Sequence, residues 1–300
     1  MNKEEALKII QKNGLELKNL PNNFKKDKEI VAKGIDQYGC VLEYADKSLK
    51  NDKKIVLSAV KQNGYALEFA SETLKKDKEI VLSAVTQNGY ALKYADIILK
   101  KDIDVVKKTV SQNGYALEYA DEDFKKDKNI VTQAVKNYCF SLMYADDNLK
   151  NDKEIVLEAI KQYGYALKYA SIGLKKDKEV VLKAVKKNVY SLFYADESLK
   201  KDKEFILIAL KQCTFGTFFE FVHSSLKKDR EVVLEAAKQW GVSIQFADQS
   251  LKKNKEIVLE AIKQYGEAFK FADDSLKKDK QFILEVEKNS SYATKYDSDL

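Results

Sequence analysis

The sequence predicts an all-α fold, an α-solenoid of about twelve repeats, each with a long helix A followed by a short helix B and a turn. Two observations carry this prediction. An aspartate recurs at a fixed interval of 25 residues, as in Asp27, Asp52 and Asp77. Each interval holds an apolar stripe with helical spacing, and one proline and 11 glycines in 300 residues leave no stretch that is typical of a flexible linker.

The repeats cover the whole sequence, so we expect residues 1–300 to form a single repeat domain. A helix pair of this length cannot bury its apolar side alone, and neighbouring repeats must therefore stack. One interval is 27 residues long because two residues are inserted near Phe215-Gly216. With this insertion, the repeats begin near residues 2, 27, 52, 77, 102, 127, 152, 177, 202, 229, 254 and 279.

Helix A is illustrated by the repeat that begins at Asp152. This aspartate predicts an N-cap, because its carboxylate can accept hydrogen bonds from amides of the first turn. Gly164 predicts the end of the helix, in the left-handed conformation that follows many helices. Helix A then covers about 153–163, and its buried stripe consists of Ile155, Val156, Ala159, Ile160 and Tyr163.

The second half of that repeat, residues 165–170, predicts a short helix B of two turns. Tyr165 and Tyr169 are spaced as i and i+4, as are two alanines. We place these tyrosines on the core-facing side of helix B. Ser171 predicts a cap for a single turn that ends at Leu174, and the residues leave open whether this turn is 3₁₀ or α.

A longer pattern, Gly-Tyr-Ala-Leu-x-Tyr-Ala-Asp/Ser-x-x-Leu-Lys-x-Asp-Lys-Glu-x-Val-Leu-x-Ala, recurs with a few mismatches at Gly64–Ala84, Gly114–Ala134 and Gly164–Ala184. It resembles the domain-of-unknown-function helical repeat family numbered four-one-one-six, over essentially the whole chain. The resemblance implies helical repeats of 25 residues. It implies no activity, cofactor or site residue, because none is established for that family.

The composition disfavours an enzyme. His223 is the single histidine, and it occupies the Asp/Ser cap position of a turn, where a partly exposed turn residue is the simplest interpretation. The three cysteines show no Cys-x-x-Cys spacing, and the sequence contains no glycine-rich phosphate loop. Regularly spaced carboxylates and lysines are typical of ion-paired solvent faces. We therefore predict no catalytic residue, no metal site, no cofactor and no small-molecule substrate.

Lysine pairs at the repeat junctions, such as Lys75-Lys76, make polyanion or nucleic-acid binding the alternative function. Against it, only Arg230 among the 53 basic residues is arginine, the usual donor to phosphate and guanine, and 47 acidic residues reduce the net charge to +6. The Gln-Asn ends of helix A, as in Gln87-Asn88, are conceivable base readers but also ordinary helix ends. We consider nucleic acid less favoured than protein.

Long helical repeat arrays usually present an extended binding surface, so we predict a non-catalytic scaffold with protein partners. The informative residues break the repeat. Met143 and Phe193 occupy an outward position of helix B that is charged in most repeats, and Ile208 replaces a mostly polar residue of helix A. The extra aromatics of repeat nine either line a partner groove near residues 143–223 or pack inward. The candidate partner-binding residues are Met143, Phe193, Ile208, Phe215, Phe218 and His223.

The location of the protein is suggested by what the sequence lacks. The first residues show no secretory signal, and no apolar run approaches the about 18 residues that span a bilayer. Three unevenly placed cysteines fit a reducing compartment. We therefore expect a cytoplasmic protein with no membrane segment.

Overall fold

The computed structural model describes residues 1–212 and 216–289. Within these ranges every regular element is helical, and no strand occurs. Each repeat passes through a long α-helix, a 3₁₀ helix and a short helical connector. The predicted class, an all-α protein of stacked helical repeats, is confirmed. None of the helices in the described ranges has the length and apolar character of a transmembrane segment.

The long helices have ten residues each, and they are Lys3–Lys12, Lys28–Gln37, Lys53–Gln62, Lys78–Gln87, Ile103–Gln112, Lys128–Asn137, Lys153–Gln162, Lys178–Lys187, Lys203–Gln212, Arg230–Gln239, Lys255–Gln264 and Lys280–Asn289. The 3₁₀ helices that follow them are Gly14–Asn19, Gly39–Tyr44, Gly64–Phe69, Gly89–Tyr94, Gly114–Tyr119, Cys139–Tyr144, Gly164–Tyr169, Val189–Tyr194, Gly216–Phe221, Gly241–Phe246 and Gly266–Phe271. The connectors are Asn22–Lys25, Lys47–Lys50, Leu74–Lys76, Ile97–Lys100, Glu122–Lys125, Asp147–Lys150, Ile172–Lys175, Glu197–Lys200, Leu226–Lys228, Leu251–Lys253 and Asp274–Lys277.

Two compact units make up the chain, Met1–Ala159 and Ile160–Leu300. The division falls inside the long helix Lys153–Gln162. Within each unit, every repeat packs on the next through its long helix and its 3₁₀ helix. The single domain of residues 1–300 stays a prediction.

The long helices begin at the recurring aspartate, as predicted. In one example, an Oδ1 atom of Asp77 accepts hydrogen bonds from the amides of Glu79, at 3.0 Å, and Ile80, at 3.2 Å. These two amides belong to the first turn, which has no partners for them within the helix. One cap side chain, an aspartate in most repeats and Asn2 or Asn254 in two, therefore fixes where the helix starts.

The predicted left-handed glycine at the helix end is wrong. Among the described residues none has a positive φ angle. The chain leaves the long helix through Tyr163, whose φ of −150° is extended, and Gly164 then begins the 3₁₀ helix. A Cβ atom on Gly164 would overlap the carbonyl oxygen of Ala184 in the next repeat. Glycine is needed here for a close approach between repeats, not for a left-handed turn.

The predicted helix B of two turns exists, but it is a 3₁₀ helix, so the predicted i, i+4 pairs do not share a face. With three residues per turn, side chains spaced by three lie on one face. Leu67 and Ala70 have this spacing and are both buried, together with Ala66. The tighter helix thereby moves the tyrosines away from the interior, with Tyr65 41% exposed.

The core follows the predicted stripe of the long helix. Ile80, Val81, Ala84 and Val85 of one repeat are all completely buried. Full burial of a valine or isoleucine side chain stabilises a fold by roughly 1.5–3 kcal/mol, so the stripe supplies much of the stacking energy. Our assignment of Tyr163 to the end of the buried stripe is wrong, since this side chain is 44% exposed.

Backbone hydrogen bonds also align consecutive connectors. The amide of Asp96 donates to the carbonyl oxygen of Lys75 at 3.1 Å, and the amide of Asp121 donates to that of Lys100 at 3.2 Å. In the second unit, Asp248 donates to Lys227 at 2.9 Å in the same way. Each bond joins a residue just before one connector, which is its N-cap in the case of Asp96 and Asp121, to a residue near the end of the connector before it, so successive connectors meet end to start.

Candidate interaction surface

Lysines at the start of the long helices form ion pairs from one repeat to the next. The Nζ atom of Lys53 lies 2.8 Å from a carboxylate oxygen of Asp77, the N-cap of the following helix, and 2.8 Å from Glu79. Hydrogen bonds to these two carboxylates raise the pKa of Lys53. We call the N-cap pairs the lysine–aspartate ladder, and its other members are Lys3–Asp27, Lys28–Asp52, Lys78–Asp102, Lys128–Asp152, Lys178–Asp202, Lys203–Asp229 and Lys255–Asp279.

The lysine pairs at the repeat junctions are largely engaged by the protein itself. Lys100 donates to the carbonyl oxygen of Lys93 at 2.8 Å, and burial lowers the pKa of Lys100. The next lysine, Lys101, has its Nζ atom 3.5 Å from Asp121. Such pairing neutralises charge that a polyanion would need. Equivalent carbonyl contacts are made by Lys25, Lys200, Lys227 and Lys252.

Amide side chains at the ends of the long helices clamp neighbouring repeats together. The Oε1 atom of Gln62 accepts a hydrogen bond from the amide of Gly39 at 2.5 Å, and its Nε2 atom donates to the carbonyl oxygen of Gln37 at 2.9 Å. Asn63 accepts from the amide of Tyr65 at 3.0 Å and so caps the 3₁₀ helix. These side chains serve the fold, which removes the support for a base-reading role. Equivalent contacts to glycine amides are made by Gln37, Gln87, Gln112 and Asn137.

The tyrosines form a partly exposed row, and their predicted core-facing position is wrong. The first unit brings rings of successive repeats into edge contact, at centroid distances of 6.4 Å for Tyr65–Tyr94, 6.3 Å for Tyr90–Tyr119 and 4.9 Å for Tyr115–Tyr144. The 3₁₀ turn uses alanine and leucine for the interior and leaves the larger rings at the rim.

Aromatic side chains gather around Phe193 in the second unit. The Phe193 ring is 58% exposed, and its centroid lies 5.1 Å from that of Tyr194 and 6.2 Å from that of Phe221. Tyr190, which is 49% exposed, lies 5.6 Å from Phe221. Lys200 donates to the carbonyl oxygen of Phe193 at 2.9 Å and holds its ammonium 5.6 Å from the ring centroid. We call Tyr190, Phe193, Tyr194 and Phe221 the aromatic cluster.

Two other predicted partner-binding residues lie on different elements. Ile208 is 41% exposed on the long helix Lys203–Gln212, whereas the residues of the aromatic cluster lie on 3₁₀ helices. Met143 is half-buried on the 3₁₀ helix Cys139–Tyr144 in the first unit. Met143 and Phe193 are the two outward positions of helix B that the sequence singled out. Of these two, Phe193 exposes more apolar surface.

Repeat nine itself contributes less surface than its sequence suggests. Phe218 is completely buried, so its assignment to a partner surface is wrong. The Nδ1 atom of His223 accepts from the amide of Ser225 at 3.2 Å and lies 2.8 Å from its hydroxyl, so the histidine replaces the usual aspartate as a turn cap. Phe215 lies outside the described residues.

Sequence reasoning missed most of the aromatic cluster. Tyr190 and Phe221 occupy positions that are aromatic in many repeats, so neither departs from the pattern. The sequence signal for the cluster is Phe193, which lies between these two residues in the chain. It places an aromatic ring at a position where neighbouring repeats have a charged side chain. That signal is visible in the sequence, but the contact between different repeats is not.

The described part of the chain shows no convergent set of catalytic or metal-binding groups. Within residues 1–212 and 216–289, no three His, Cys, Asp or Glu side chains are placed to hold a metal ion. An open groove between two long helices is lined by Lys61, Leu82, Ser83, Thr86 and Gln87, and among these described residues no hydrogen bond joins the Ser83 hydroxyl to Lys61. The absence of enzyme activity stays a prediction.

The fold and its surfaces define the class of this molecule as a helical repeat protein. More specifically, the chain belongs to the family described as Domain of unknown function (DUF4116), as the sequence pattern predicted. The family model matches residues 2–50, 27–75, 77–125, 127–175, 177–215, 202–252 and 254–296. No curated protein matches the chain significantly.

Proposed function

We propose that this protein is a non-catalytic repeat scaffold that binds protein partners, with the aromatic cluster as a docking site. The single observation that carries the proposal is the exposure of Phe193 at the centre of a group of aromatic rings. Aromatic side chains that pack on one another and still face solvent are enriched at the centres of protein interfaces.

The energy available at the cluster supports this role. Covering the exposed part of the Phe193 ring would remove on the order of 100 Å² of apolar surface from water, a gross gain of about 2.5 kcal/mol. The ring is already held by contacts with Tyr194 and Phe221, so little side-chain entropy is lost on binding. Lys200, which is fixed beside the ring, is already paired with Glu197 at 3.0 Å, so the cluster favours an apolar side chain of the partner.

A peptide selection tests the proposal. A phage-displayed random peptide library is selected on the wild-type chain, and enriched peptides are measured by fluorescence anisotropy against Phe193→Glu. The matched control is Ile172→Glu, which adds the same charge to a 72% exposed apolar side chain of the same unit outside the cluster. We expect Phe193→Glu to weaken binding at least tenfold, or about 1.4 kcal/mol, and Ile172→Glu to leave it unchanged.

Two outcomes would count against the aromatic cluster. One is enrichment of peptides that bind Phe193→Glu as tightly as the wild type. The other is an equal loss in the two variants, which would indicate a general effect of negative charge. Circular dichroism of the variants checks that both remain folded.

Binding of single-stranded nucleic acid is the second candidate, because the tyrosine row is partly exposed and bases can stack on such rings. The engaged lysines and glutamines weigh against it. Anisotropy of labelled single-stranded RNA over a salt series separates the two functions. Polyanion binding falls steeply with ionic strength, whereas binding to an apolar cluster does not.

The proposed location is the cytoplasm. Support comes from the three unevenly placed cysteines, which fit a reducing compartment. Cell fractionation of a tagged chain tests this, and recovery in a secreted or membrane fraction would refute it.

A further inference from the structure

The lysine–aspartate ladder is interrupted in repeat five. Ile103 begins its long helix at the position that Lys78 and Lys128 hold in the flanking repeats. Those lysines lie 2.8 Å from Asp102 and Asp152, the N-caps of the helices that follow them. Ile103 cannot make such a pair with Asp127, the next N-cap.

The Asp127 carboxylate consequently keeps its helix-capping hydrogen bonds but lacks the lysine partner of the ladder. Its Oδ1 atom accepts hydrogen bonds from the amides of Asn129, at 2.8 Å, and Ile130, at 3.0 Å. In the described part of the chain no ammonium group lies within 4.0 Å of this carboxylate, although Asp127 is only partly buried. A charged acceptor with the geometry of a ladder site is therefore open on this surface.

Exposed apolar side chains lie on the helix that begins at this break and on the connector before it. Ile97 is 59% exposed, Ile98 is 64% exposed and Ile103 is 40% exposed. The first two lie on the connector Ile97–Lys100, which packs on the long helix that Ile103 begins. The equivalent connector residues one repeat earlier are Glu72 and Thr73. We call Ile97, Ile98 and Ile103 the isoleucine patch.

Acidic side chains lie on the connector that follows Ile97–Lys100. The hydrogen bond from the Asp121 amide to Lys100 joins the start of the connector Glu122–Lys125 to the end of Ile97–Lys100. Glu122 and Asp123 on this neighbouring connector are both exposed. Lys125 lies 2.7 Å from Glu122 and compensates that charge, but no cation within residues 1–212 and 216–289 pairs with Asp123. This connector therefore favours a cationic partner.

We infer that the isoleucine patch and Asp127 together form a docking site for a basic amphipathic segment of another protein, a lysine or arginine flanked by apolar side chains. The partner's cation occupies the place of the missing ladder lysine at Asp127, and its apolar side chains cover the three isoleucines. The carboxylates of Asp123 and Asp127 disfavour acidic segments and nucleic acid as occupants, even with the exposed Lys126 between them. The site lies in the first unit and does not depend on the aromatic cluster, which lies in the second.

Restoring the repeat pattern provides the sharpest test. Ile103→Lys supplies the ladder lysine in cis and removes apolar surface, and flanking repeats show that lysine is compatible with the fold. A random peptide library is selected by phage display on the wild-type full chain, and synthetic copies of enriched peptides are titrated by anisotropy. We expect peptides with a lysine or arginine beside apolar residues, and a Kd at least tenfold weaker for Ile103→Lys.

Two further variants make this test specific. Ile172→Lys introduces the same change at an exposed isoleucine of the second unit and leaves the Kd unchanged. Asp127→Asn removes the charge but keeps a helix cap, since Asn254 caps the equivalent helix by accepting from the amide of Ile257 at 3.2 Å. We expect Asp127→Asn to weaken binding severalfold and to reduce its salt dependence.

The inference is overturned if no peptide is enriched, if enriched peptides lack basic residues, or if they bind Ile103→Lys as tightly as the wild type. Sedimentation velocity tests a different occupant. Self-association of the wild type that is lost in Ile103→Lys would assign the patch to a second copy of this chain and refute the partner segment. Peptides that require Phe193 but not Ile103 would support the aromatic cluster alone.

Discussion

Gln62→Ala tests directly how neighbouring repeats are held together. The change removes the acceptor for the amide of Gly39, a buried residue, and the donor to the carbonyl oxygen of Gln37. An unpartnered buried amide costs about 1–3 kcal/mol, whereas the exposed carbonyl can turn to water at a cost of at most about 0.5 kcal/mol. The higher helix propensity of alanine offsets about 0.3 kcal/mol of this loss of stability. We expect a net loss of about 2 kcal/mol.

Two measurements check this value. The midpoint of urea unfolding should fall with an unchanged slope, as expected for a loss of stability alone. Hydrogen exchange of the Gly39 amide should accelerate roughly 30-fold, which corresponds to 2 kcal/mol, because its protection depends on this one side chain.

Gln62→Asn is the matched control for the clamp. Asn137 already makes the equivalent contacts in repeat six, accepting from the amide of Gly114 at 2.5 Å and donating to the carbonyl oxygen of Ser111 at 3.0 Å. We therefore expect the asparagine variant to retain most of the stability. The reasoning would be refuted if asparagine were as costly as alanine, or if alanine left the exchange of Gly39 unchanged.

Two further predictions concern buried polarity and pH. Ser191 is completely buried and its hydroxyl has no partner in the described structure, so Ser191→Ala should stabilise the fold by up to about 1 kcal/mol, and a lower urea midpoint would contradict this. The hydrogen bond from Lys28 lowers the pKa of Asp52. Its stabilising contribution is thus present above the unfolded pKa of about 3.9 and is lost as the pH falls through the lower folded value. Asp52→Asn should flatten the acid part of a stability–pH curve, and an unchanged acid limb would show that the carboxylate is not linked to folding.

Much of the helical architecture was predictable because it depends on local chemistry. The N-cap role of Asp77 follows from a carboxylate placed before a helical stripe, and the stripe itself is visible in the spacing of Ile80, Val81, Ala84 and Val85. These features repeat, so an error at one position is corrected by the others. The position of His223 as a turn cap was predictable for the same reason.

The candidate surface was only partly predictable. Phe193 departs from a charged position and was identified, but its contact with Phe221 joins two repeats whose packing the sequence does not specify. Phe218 was misassigned because the sequence of an aromatic run does not show which rings face the interior until the type of helix is known. Ile103 was overlooked because a single apolar residue becomes informative only beside the Asp127 carboxylate that it leaves unpaired.

The sequence by itself determined the repeat interval, the helix starts and the apolar stripe, since each arises from interactions within a few residues. Tertiary structure alone decided the 3₁₀ form of the second helix, the rim position of Tyr65 and the pairing of Gln62 with Gly39. The physical reason is that these features follow from how closely one repeat approaches the next. At Gly164 that approach leaves no room for a Cβ atom, and no spacing within one repeat could indicate it.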